Sequence, residues 1–313
     1  MEIFTVIQPG AYTTVQDRGR FGYQQFGVPI CGVVDVFAYQ VANALVGNLQ
    51  GQAVLEATVF GPRLEVVNQG LIALTGGNLS PVLNDDPLPM WESVAVHPGD
   101  KLQFKGIRTG CRAYIAVSGG IDVPMVMGSR STYVAGKIGG VEGRPLAVGD
   151  RLNKGKGRAK VGVRISPAFI PTYSADIEIR VILGPQDDYF SGGIETLLSS
   201  TFTVSDKADR MGYRLEGDTI AHRERVPKSI ISEPSVPGGI QVPPDGQAII
   251  LLVEQTVGGY TKIATVISSD IGKVGQAKPG DRIHFVQVGL EQAHRILKEE
   301  EAKLESIRES LRE

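Results

Sequence analysis

The segment TVQDRGR (residues 14–20) places Asp17, Arg18 and Arg20 in one glycine-flanked loop. An arginine can bind a carboxylate or a phosphate through two parallel hydrogen bonds, so this loop could recognise an anion. A structural turn closed by an Asp–Arg contact explains the same residues equally well. The sequence leaves both interpretations open.

A second loop, GSRST (residues 128–132), joins a glycine to three hydroxyl side chains and to Arg130. A glycine permits the backbone to expose successive N–H groups, and together with Ser129 and the arginine this composition favours an anion-binding turn. An ordinary polar turn is the alternative, and it is left open.

Two further polar residues, Asn43 and Glu56, lie among apolar neighbours in ANALVGN (residues 42–48) and LEAT (residues 55–58). A carboxylate in apolar surroundings must find a partner or shift its pKa. A buried glutamate that is simply paired is the commoner case, and a proton-transfer group is the other reading.

The second half of the chain carries its polar groups on glycine-rich loops. GGIQVPPDG (residues 238–246) contains Gln241, and EQTVGGY (residues 254–260) contains Glu254, Gln255 and Tyr260. A glutamine both donates and accepts hydrogen bonds, which suits an amide substrate. Binding residues concentrate on such loops, so their density indicates a site more strongly than any single motif.

The elements that position these loops occur twice. Four landmarks recur in the same order: a DR-containing segment followed by Gly and Tyr, a VP segment, a Gly-Gly pair and a Pro-Gly-Asp turn. They begin at residues 17, 28, 76 and 98 in the first half and at 209, 236, 258 and 279 in the second. Small ligands favour clefts between domains, so we predict that loops of two related halves meet around a pocket.

Short β-branched segments between turn residues predict a mainly β protein built from two related barrels. We place the first domain at residues 1–165, the second at 166–289 and a C-terminal helix at 290–313, with a basic linker at 153–160. Helices are predicted at 36–46, with Asp35 as N-cap and Gly47 as C-cap, at 189–198 and at 290–312. The amphipathic last helix either packs on its own domain or forms a contact between subunits.

Composition excludes several functions. The 313 residues carry a net charge of −2 and no basic stripe, so nucleic acid is not expected as a partner. The four histidines are scattered, which predicts no metal site, and neither nucleotide-binding fingerprint nor a nucleophile elbow occurs. With two isolated cysteines, no signal peptide and no long apolar stretch, we expect a cytoplasmic protein outside the membrane.

Several segments together resemble the allophanate hydrolase subunit 2 family, also described as biotin-dependent carboxyltransferase-like, which includes the C subunit of 5-oxoprolinase and KipA. They are PGAYTTVQDRGRFGYQQFGVP, LVGN, GPRLEV, GSRSTY, SDKADRMGYRLEG, GGIQVPPDGQ and GGYTKIATVISSD. The resemblance runs from about residue 9 to about residue 285 and implies two cyclophilin-like β-barrels. Cys31 stands where the family usually has serine, and Glu254 where it usually has aspartate.

The resemblance implies three alternative functions. The first is a subunit of an ATP-dependent 5-oxoprolinase, which works with a KipI-like subunit 1 homologue and a third subunit. The second is a KipA-like regulator that binds a kinase inhibitor. The third is a carboxyltransferase that uses carboxybiotin on urea or a similar amide. For the first, ATP serves the complex, no metal is expected, and self-association through the last helix is a further prediction.

The resemblance also prompts an assignment of roles. We expect Arg130 and Arg18 to hold a carboxylate or phosphate, with Ser129 and Asn43 among the binding groups. Three acidic residues are expected to orient groups or accept protons, and three further residues are expected to face the substrate amide. The acidic set is Asp17, Asp35 and Glu56, and the amide-facing set is Gln241, Gln255 and Tyr260.

Overall fold

The computed structural model describes residues 1–157 and 160–311. Two residues of the linker predicted at 153–160 and the last residue of the helix predicted at 290–312 therefore lie outside the described residues. The chain forms two compact units. Unit 1 comprises Met1–Phe21, Cys31–Tyr173 and Ala302–Glu313, and unit 2 comprises Gly22–Ile30 and Ser174–Glu301. The domain limits predicted from the sequence stay a prediction.

Unit 1 contains twelve strands, one complete helix and the end of the last helix of the chain. They are β1 (Glu2–Gln8), β2 (Tyr12–Gln16), α1 (Val36–Leu45), β3 (Val54–Thr58), β4 (Arg63–Val66), β5 (Gly70–Asn78), β6 (Pro81–Leu83), β7 (Asp86–Pro87), β8 (Ser93–Val96), β9 (Lys101–Phe104), β10 (Thr109–Val117), β11 (Ile121–Asp122) and β12 (Arg151–Lys154).

The strands of unit 1 form two sheets. A seven-stranded sheet has the order β11-β12-β1-β4-β9-β6-β7, and a five-stranded sheet has the order β2-β3-β10-β5-β8. Along β10, Ala113 and Ile115 belong to a core that draws on both sheets, while Tyr114 and Ala116 belong to a second core beneath α1. Because side chains alternate along a strand, the five-stranded sheet is buried on both faces.

Helix α1 covers the outer face of this sheet. The Asp35 carboxylate accepts a hydrogen bond from the backbone N–H of Ala38 at 3.0 Å, which confirms the predicted N-cap. The helix ends at Leu45, and Gly47 follows with φ 68°, a left-handed conformation that glycine adopts without strain. The predicted position of this helix is confirmed to within one residue.

Unit 2 contains eight strands, two complete helices and the start of the last helix. They are β13 (Asp176–Leu183), α2 (Gly192–Ser199), β14 (Thr201–Ala208), β15 (Gly212–Glu216), β16 (Ser229–Pro234), β17 (Gly239–Val242), β18 (Ile249–Leu251), β19 (Val257–Val266), α3 (Ile271–Gln276), β20 (Arg282–Gln287) and α4 (Leu290–Ser310). The helix predicted at 189–198 begins three residues later than expected, because Asp187–Tyr189 forms a separate 3₁₀ turn.

The sheet of unit 2 closes on itself. Its order is β13-β20-β14-β15-β18-β17-β19-β16, and β13 also pairs with β19. Seven strands therefore form a ring, and β16 lies outside it, paired with β19. The prediction of a mainly β protein with few helices is confirmed.

Helix α4 packs along its own chain. Ala293, near its start, belongs to a small apolar cluster with Ile267 and Val288 in unit 2. Leu304 and Ile307, near its end, are buried in the core beneath α1 in unit 1. The contact between subunits drawn from its amphipathic pattern stays a prediction.

The Pro-Gly-Asp landmarks form the same turn in both units. Asp100 accepts a hydrogen bond from the N–H of His97 at 2.7 Å, and Asp281 accepts one from the N–H of Lys278 at 3.0 Å. The Gly-Gly landmarks lie in the long strands β5 and β19. The repeated sequence pattern thus corresponds to repeated local structure.

Within the described residues, none of the helices combines the length and the apolar character needed to cross a membrane.

Candidate functional site

Asp17 is the centre of a buried hydrogen-bond network in unit 1. One carboxylate oxygen accepts hydrogen bonds from the hydroxyls of Ser129 and Ser131, both at 2.6 Å, and from the N–H of Gly19 at 2.9 Å. The other oxygen accepts from the backbone N–H of Arg130 at 2.6 Å. The 128–132 loop therefore holds the protein's own Asp17 carboxylate, and its binding of an external anion stays a prediction.

The side chain of Arg130 extends away from this network. Its Nε donates to the carbonyl of Val123 at 3.0 Å, and its Nη2 lies 3.8 Å from the Asp122 carboxylate. A quarter of the side chain is exposed. The loop thus holds the backbone of Arg130 through Asp17, while the side chain is partly exposed and contacts Val123 and Asp122.

The two arginines of the 14–20 loop have opposite environments. Arg18 is exposed, whereas Arg20 is among the most buried large side chains of the protein. Nη2 of Arg20 donates to the carbonyl of Ser131 at 2.6 Å, but its Nε and Nη1 have no hydrogen-bond partner among the described residues. A Cβ at Gly139 would come within 2.1 Å of the Ser131 carbonyl oxygen that accepts this bond and within 2.8 Å of Nη2, so a glycine is required at this close approach.

Glu56 and Asp35 lie together beneath α1. Glu56 accepts from the N–H of Val34 at 3.2 Å and lies 3.8 Å from Nε of the equally buried Arg112. Tyr114 accepts a hydrogen bond from the N–H of Asp35 at 2.9 Å. These contacts match the paired-glutamate alternative of the sequence analysis.

Besides Tyr114, a second tyrosine contacts Asp35. The hydroxyl of Tyr173 donates to Asp35 at 2.7 Å. Burial first, and then the nearby carboxylates, raise the pKa of both Tyr114 and Tyr173 well above its ordinary value. Both phenols therefore stay protonated, which leaves each as a donor and acceptor within the fold.

Asn43 lies on a cleft of unit 1 with a volume of about 600 Å³. Its amide donates to the carbonyl of Gln52 at 3.1 Å and accepts from Asn48 at 2.7 Å. Burial raises the pKa of Tyr39, which lines the same cleft, and the Asp17 charge adds to the effect. Arg308 of α4 lies opposite, hydrogen-bonded to Glu305 and Gln40.

The three residues predicted to face an amide all lie in unit 2, in different environments. Gln241, on β17, is 3% exposed, and its Nε2 has no hydrogen-bond partner in the described part of the chain. Gln255 is half-buried and donates to the carbonyl of Val257 at 2.6 Å. Tyr260 is exposed. Their predicted roles stay predictions.

Two ion pairs of unit 2, one buried and one partly exposed, were missed by the sequence analysis. Arg210 donates to Glu254 at 2.5 Å, which joins the DRMGY and EQT segments. Lys262, on β19, pairs with Glu233, on β16. In the sequence, the second pair is indicated only by the lysine in the strand segment TKIATV, since a buried lysine needs a charged partner.

No group of three histidine, cysteine, aspartate or glutamate side chains within residues 1–157 and 160–311 is arranged to hold a metal ion.

Comparison with known proteins gives consistent matches over almost the whole chain. The family model described as carboxyltransferase domain, subdomain A and B, matches residues 26–287. The chain is 36% identical over 304 residues to the C subunit of 5-oxoprolinase from Escherichia coli K12, covering 96% of each chain. It is 34% identical to the urea amidolyase of Lachancea kluyveri over 97% of this chain but only 18% of that protein.

A solved structure extends this similarity to the fold. The urea amidolyase of K. lactis superposes with a TM-score of 0.90 at 33% identity, over 97% of this chain and 20% of that one. The chain therefore spans about a fifth of the length of the urea amidolyases that it matches.

Proposed function

This chain belongs to the carboxyltransferase domain, subdomain A and B, family, and from that membership we propose that it is a subunit of an ATP-dependent 5-oxoprolinase. The observation that carries the proposal is the match to the C subunit of 5-oxoprolinase over 96% of both chains. Because that relative's name designates one subunit among several, we propose that this chain acts together with partner subunits.

The proposed reaction opens the lactam ring of 5-oxoproline to glutamate. A five-membered lactam resists hydrolysis, and transfer of the γ-phosphoryl group of ATP to its carbonyl oxygen would make the carbonyl carbon open to attack by water. Water then adds to that carbon, and the C–N bond breaks as the nitrogen takes up a proton. A second water hydrolyses the resulting acyl phosphate, which releases phosphate and leaves the free carboxylate of glutamate. Such a site needs cations for the phosphoryl or carboxylate oxygens and polar groups for the amide.

We assign the cationic role in unit 1 to Arg130. Its guanidinium is partly exposed, and its backbone is held through Asp17 and Ser129. In this proposal Asp17 and Ser129 position the loop rather than contact substrate. The N–H of Arg130 and the hydroxyls of Ser129 and Ser131 already bond to Asp17, so we assign no phosphate of ATP to them, and ATP is assigned to the complex.

The test is a complex reconstituted with its partner subunits, assayed for glutamate and phosphate. Arg130→Ala should lower kcat/KM for 5-oxoproline by about 10- to 100-fold, because a charge-assisted hydrogen bond is worth roughly 1.5–3 kcal/mol. The backbone contact to Asp17 survives this change, so the loop keeps its structure. Unchanged turnover would remove Arg130 from the site.

Arg144→Ala is the matched control. Arg144 also lies in unit 1 and pairs with Asp150 at 2.8 Å, with a similarly exposed side chain. We expect it to leave kcat/KM unchanged. If wild-type complex releases no glutamate above background, the proposed function itself is wrong.

A second candidate function is a carboxyltransferase. The observation in its favour is the TM-score of 0.90 against the urea amidolyase structure. It would accept a carboxyl group from carboxybiotin and pass it to urea or a similar amide. Mixing the chain with a biotin carboxylase and biotin carrier, and measuring urea-dependent consumption of carboxybiotin, separates this candidate from the first.

A further inference from the structure

One face of the strands β16, β19 and β17 in unit 2 carries a polar cluster that the proposed mechanism has not used. Lys262 pairs in register with Gln241, and Glu233 pairs with Gly258 on the same strand as Lys262. Cross-strand partners share a face, and so do residues separated by an even number along a strand. We call the set Glu233, Ser235, Gln241 and Lys262 the Lys262 cluster.

Two buried atoms of this cluster have no hydrogen-bond partner among the residues described. They are Nε2 of Gln241 and Oγ of Ser235, in residues that are 3% and 2% exposed. Both lie against Gly258, where an added Cβ would come within 2.0 Å of the Gln241 nitrogen and 3.2 Å of the Ser235 oxygen. Buried polar atoms without partners are rare and costly, so they point to a partner that the chain does not supply.

Two hydrogen bonds to Gln186 hold the backbone of Lys262 beside a β-bulge. A β-bulge interrupts the pairing of β17 with β19 at Ile240 and Gln241. The N–H of Lys262 donates instead to the side chain of Gln186 at 2.9 Å, and the N–H of Gln186 donates to the carbonyl of Lys262 at 3.0 Å. Bulges of this kind re-aim a side chain and are frequent beside active sites.

The ion pair of the cluster is asymmetric. The side chain of Lys262 is 5% exposed, whereas that of Glu233 is 42% exposed. The cation is therefore enclosed, and the anion lies at the solvent boundary on β16, outside the closed ring of strands.

We propose that the Lys262 cluster binds the carboxylate of a small amide-containing acid, and that Glu233 is the internal carboxylate that this ligand displaces from Lys262. Gln241 and Ser235 then supply hydrogen bonds to the amide of the same ligand. The ligand class follows from the cluster: one enclosed cation, one amide and one hydroxyl. Naming 5-oxoproline as that acid rests on the proposed function.

If the ligand displaces Glu233 from Lys262, substitutions of these two ion-pair partners should change the affinity for the ligand in opposite directions. By calorimetric titration of the full chain with 5-oxoproline, Lys262→Met should weaken binding at least ~10-fold, since it removes a charge-assisted hydrogen bond. Glu233→Gln should tighten binding by roughly 3- to 10-fold, because it removes the competing carboxylate and raises the fraction of binding-competent protein.

Two controls isolate the effect. Lys278→Met breaks another lysine–carboxylate pair of unit 2, between Lys278 and Asp281 at 2.5 Å, and should leave binding unchanged. The lactam 2-pyrrolidinone lacks the carboxylate, so its binding should respond to neither cluster variant. Thermal melting of each variant checks that it is folded, and Glu233→Gln keeps the test decisive if Lys262→Met does not fold.

The outcomes separate this proposal from the proposed function. In the reconstituted complex, Lys262→Met should raise the KM for 5-oxoproline more than it lowers kcat. If the wild-type complex makes glutamate but neither cluster variant changes KM or Kd, the cluster is only structural. If it makes none, yet the chain binds 5-oxoproline with the opposite variant effects, the carboxylate site stands without the oxoprolinase function. Absence of binding to the wild-type protein, alone and in complex, overturns the proposal.

Discussion

At the scale of the residue, the Asp17 carboxylate shows how one buried charge organises a distant loop. Its partners Ser129, Arg130 and Ser131 lie more than a hundred residues away in sequence. The residue types indicated an anion-binding loop, but the identity of its anion depends on tertiary contacts that no local pattern encodes. Both loops of the network could therefore be recognised from the sequence, but the contact between them could not be predicted.

Replacing Asp17 should destabilise unit 1. Asp17→Ala removes the acceptor of two hydroxyls and two N–H groups, whose hydrogens then lose their hydrogen bonds inside unit 1. We expect the free energy of unfolding in urea to fall by about 2–4 kcal/mol. Asp86→Asn, at an exposed aspartate of β7, should cause little change. Equal stability of Asp17→Ala and wild type would contradict this account of the loop.

Asp270 in unit 2 should make stability depend on pH. Burial by itself raises its pKa, but hydrogen bonds from the side chain and N–H of Arg180 and the nearby Lys273 outweigh burial and hold the pKa below its ordinary value of 3.8. Stability from Asp270 is then fully present above about pH 4, and it is lost as the pH falls through the lower pKa of the folded state.

The matching variant is Asp270→Asn. It leaves the Arg180 guanidinium, which pairs with Asp270 at 2.6 Å, without its counter-charge, so we expect a loss of about 3–5 kcal/mol at neutral pH. The difference from wild type should shrink in denaturation experiments at progressively lower pH. Asp85→Asn, at an exposed ion pair with Lys105, serves as control and should change stability little. A pH-independent difference would refute the assignment.

At the scale of the element, local signals predicted helices well and their starts less well. Asp35 caps α1 as expected because an aspartate before an apolar repeat is a local signal. The start of α2 was misplaced because Asp187 and Asp188 form a 3₁₀ turn of their own before Gly192. Lys262 was overlooked since its burial comes from strand pairing.

The end of helix α4 should be required for the stability of unit 1. Ile307 is 1% exposed in the core beneath α1. Ile307→Ala should lower the free energy of unfolding by about 2–5 kcal/mol, because it leaves a cavity in a packed core. Ser306→Ala changes an exposed neighbour on the same helix and should have little effect. If both variants match wild type in urea denaturation, the helix end does not stabilise the unit.

At the scale of the whole molecule, the resemblance read from the sequence is confirmed by the family match over residues 26–287. The mainly β architecture also follows from strand patterning and turn residues. The sequence could not give the ring closure of unit 2, since the pairing of β13 with β19 joins segments about eighty residues apart.

We expect the chain alone to lack 5-oxoprolinase activity. It contains neither common nucleotide-binding fingerprint, and its relative is named as one subunit of several. Phosphate release with ATP and 5-oxoproline should match the buffer blank for this chain and rise only after partner subunits are added. Turnover by the purified chain would show that the active site is complete within it.

The ring of strands in unit 2 has a bearing on how the protein behaves when concentrated or stressed. Exposed strand edges recruit further chains into β-aggregates, and a closed ring offers none along its seven strands. The remaining open edge of the unit 2 sheet is β16, which ends in Glu233 and Pro234. A charged residue and a proline both oppose edge-to-edge pairing of strands. A residue that we propose to yield to a ligand thus lies on the open edge strand of the unit 2 sheet.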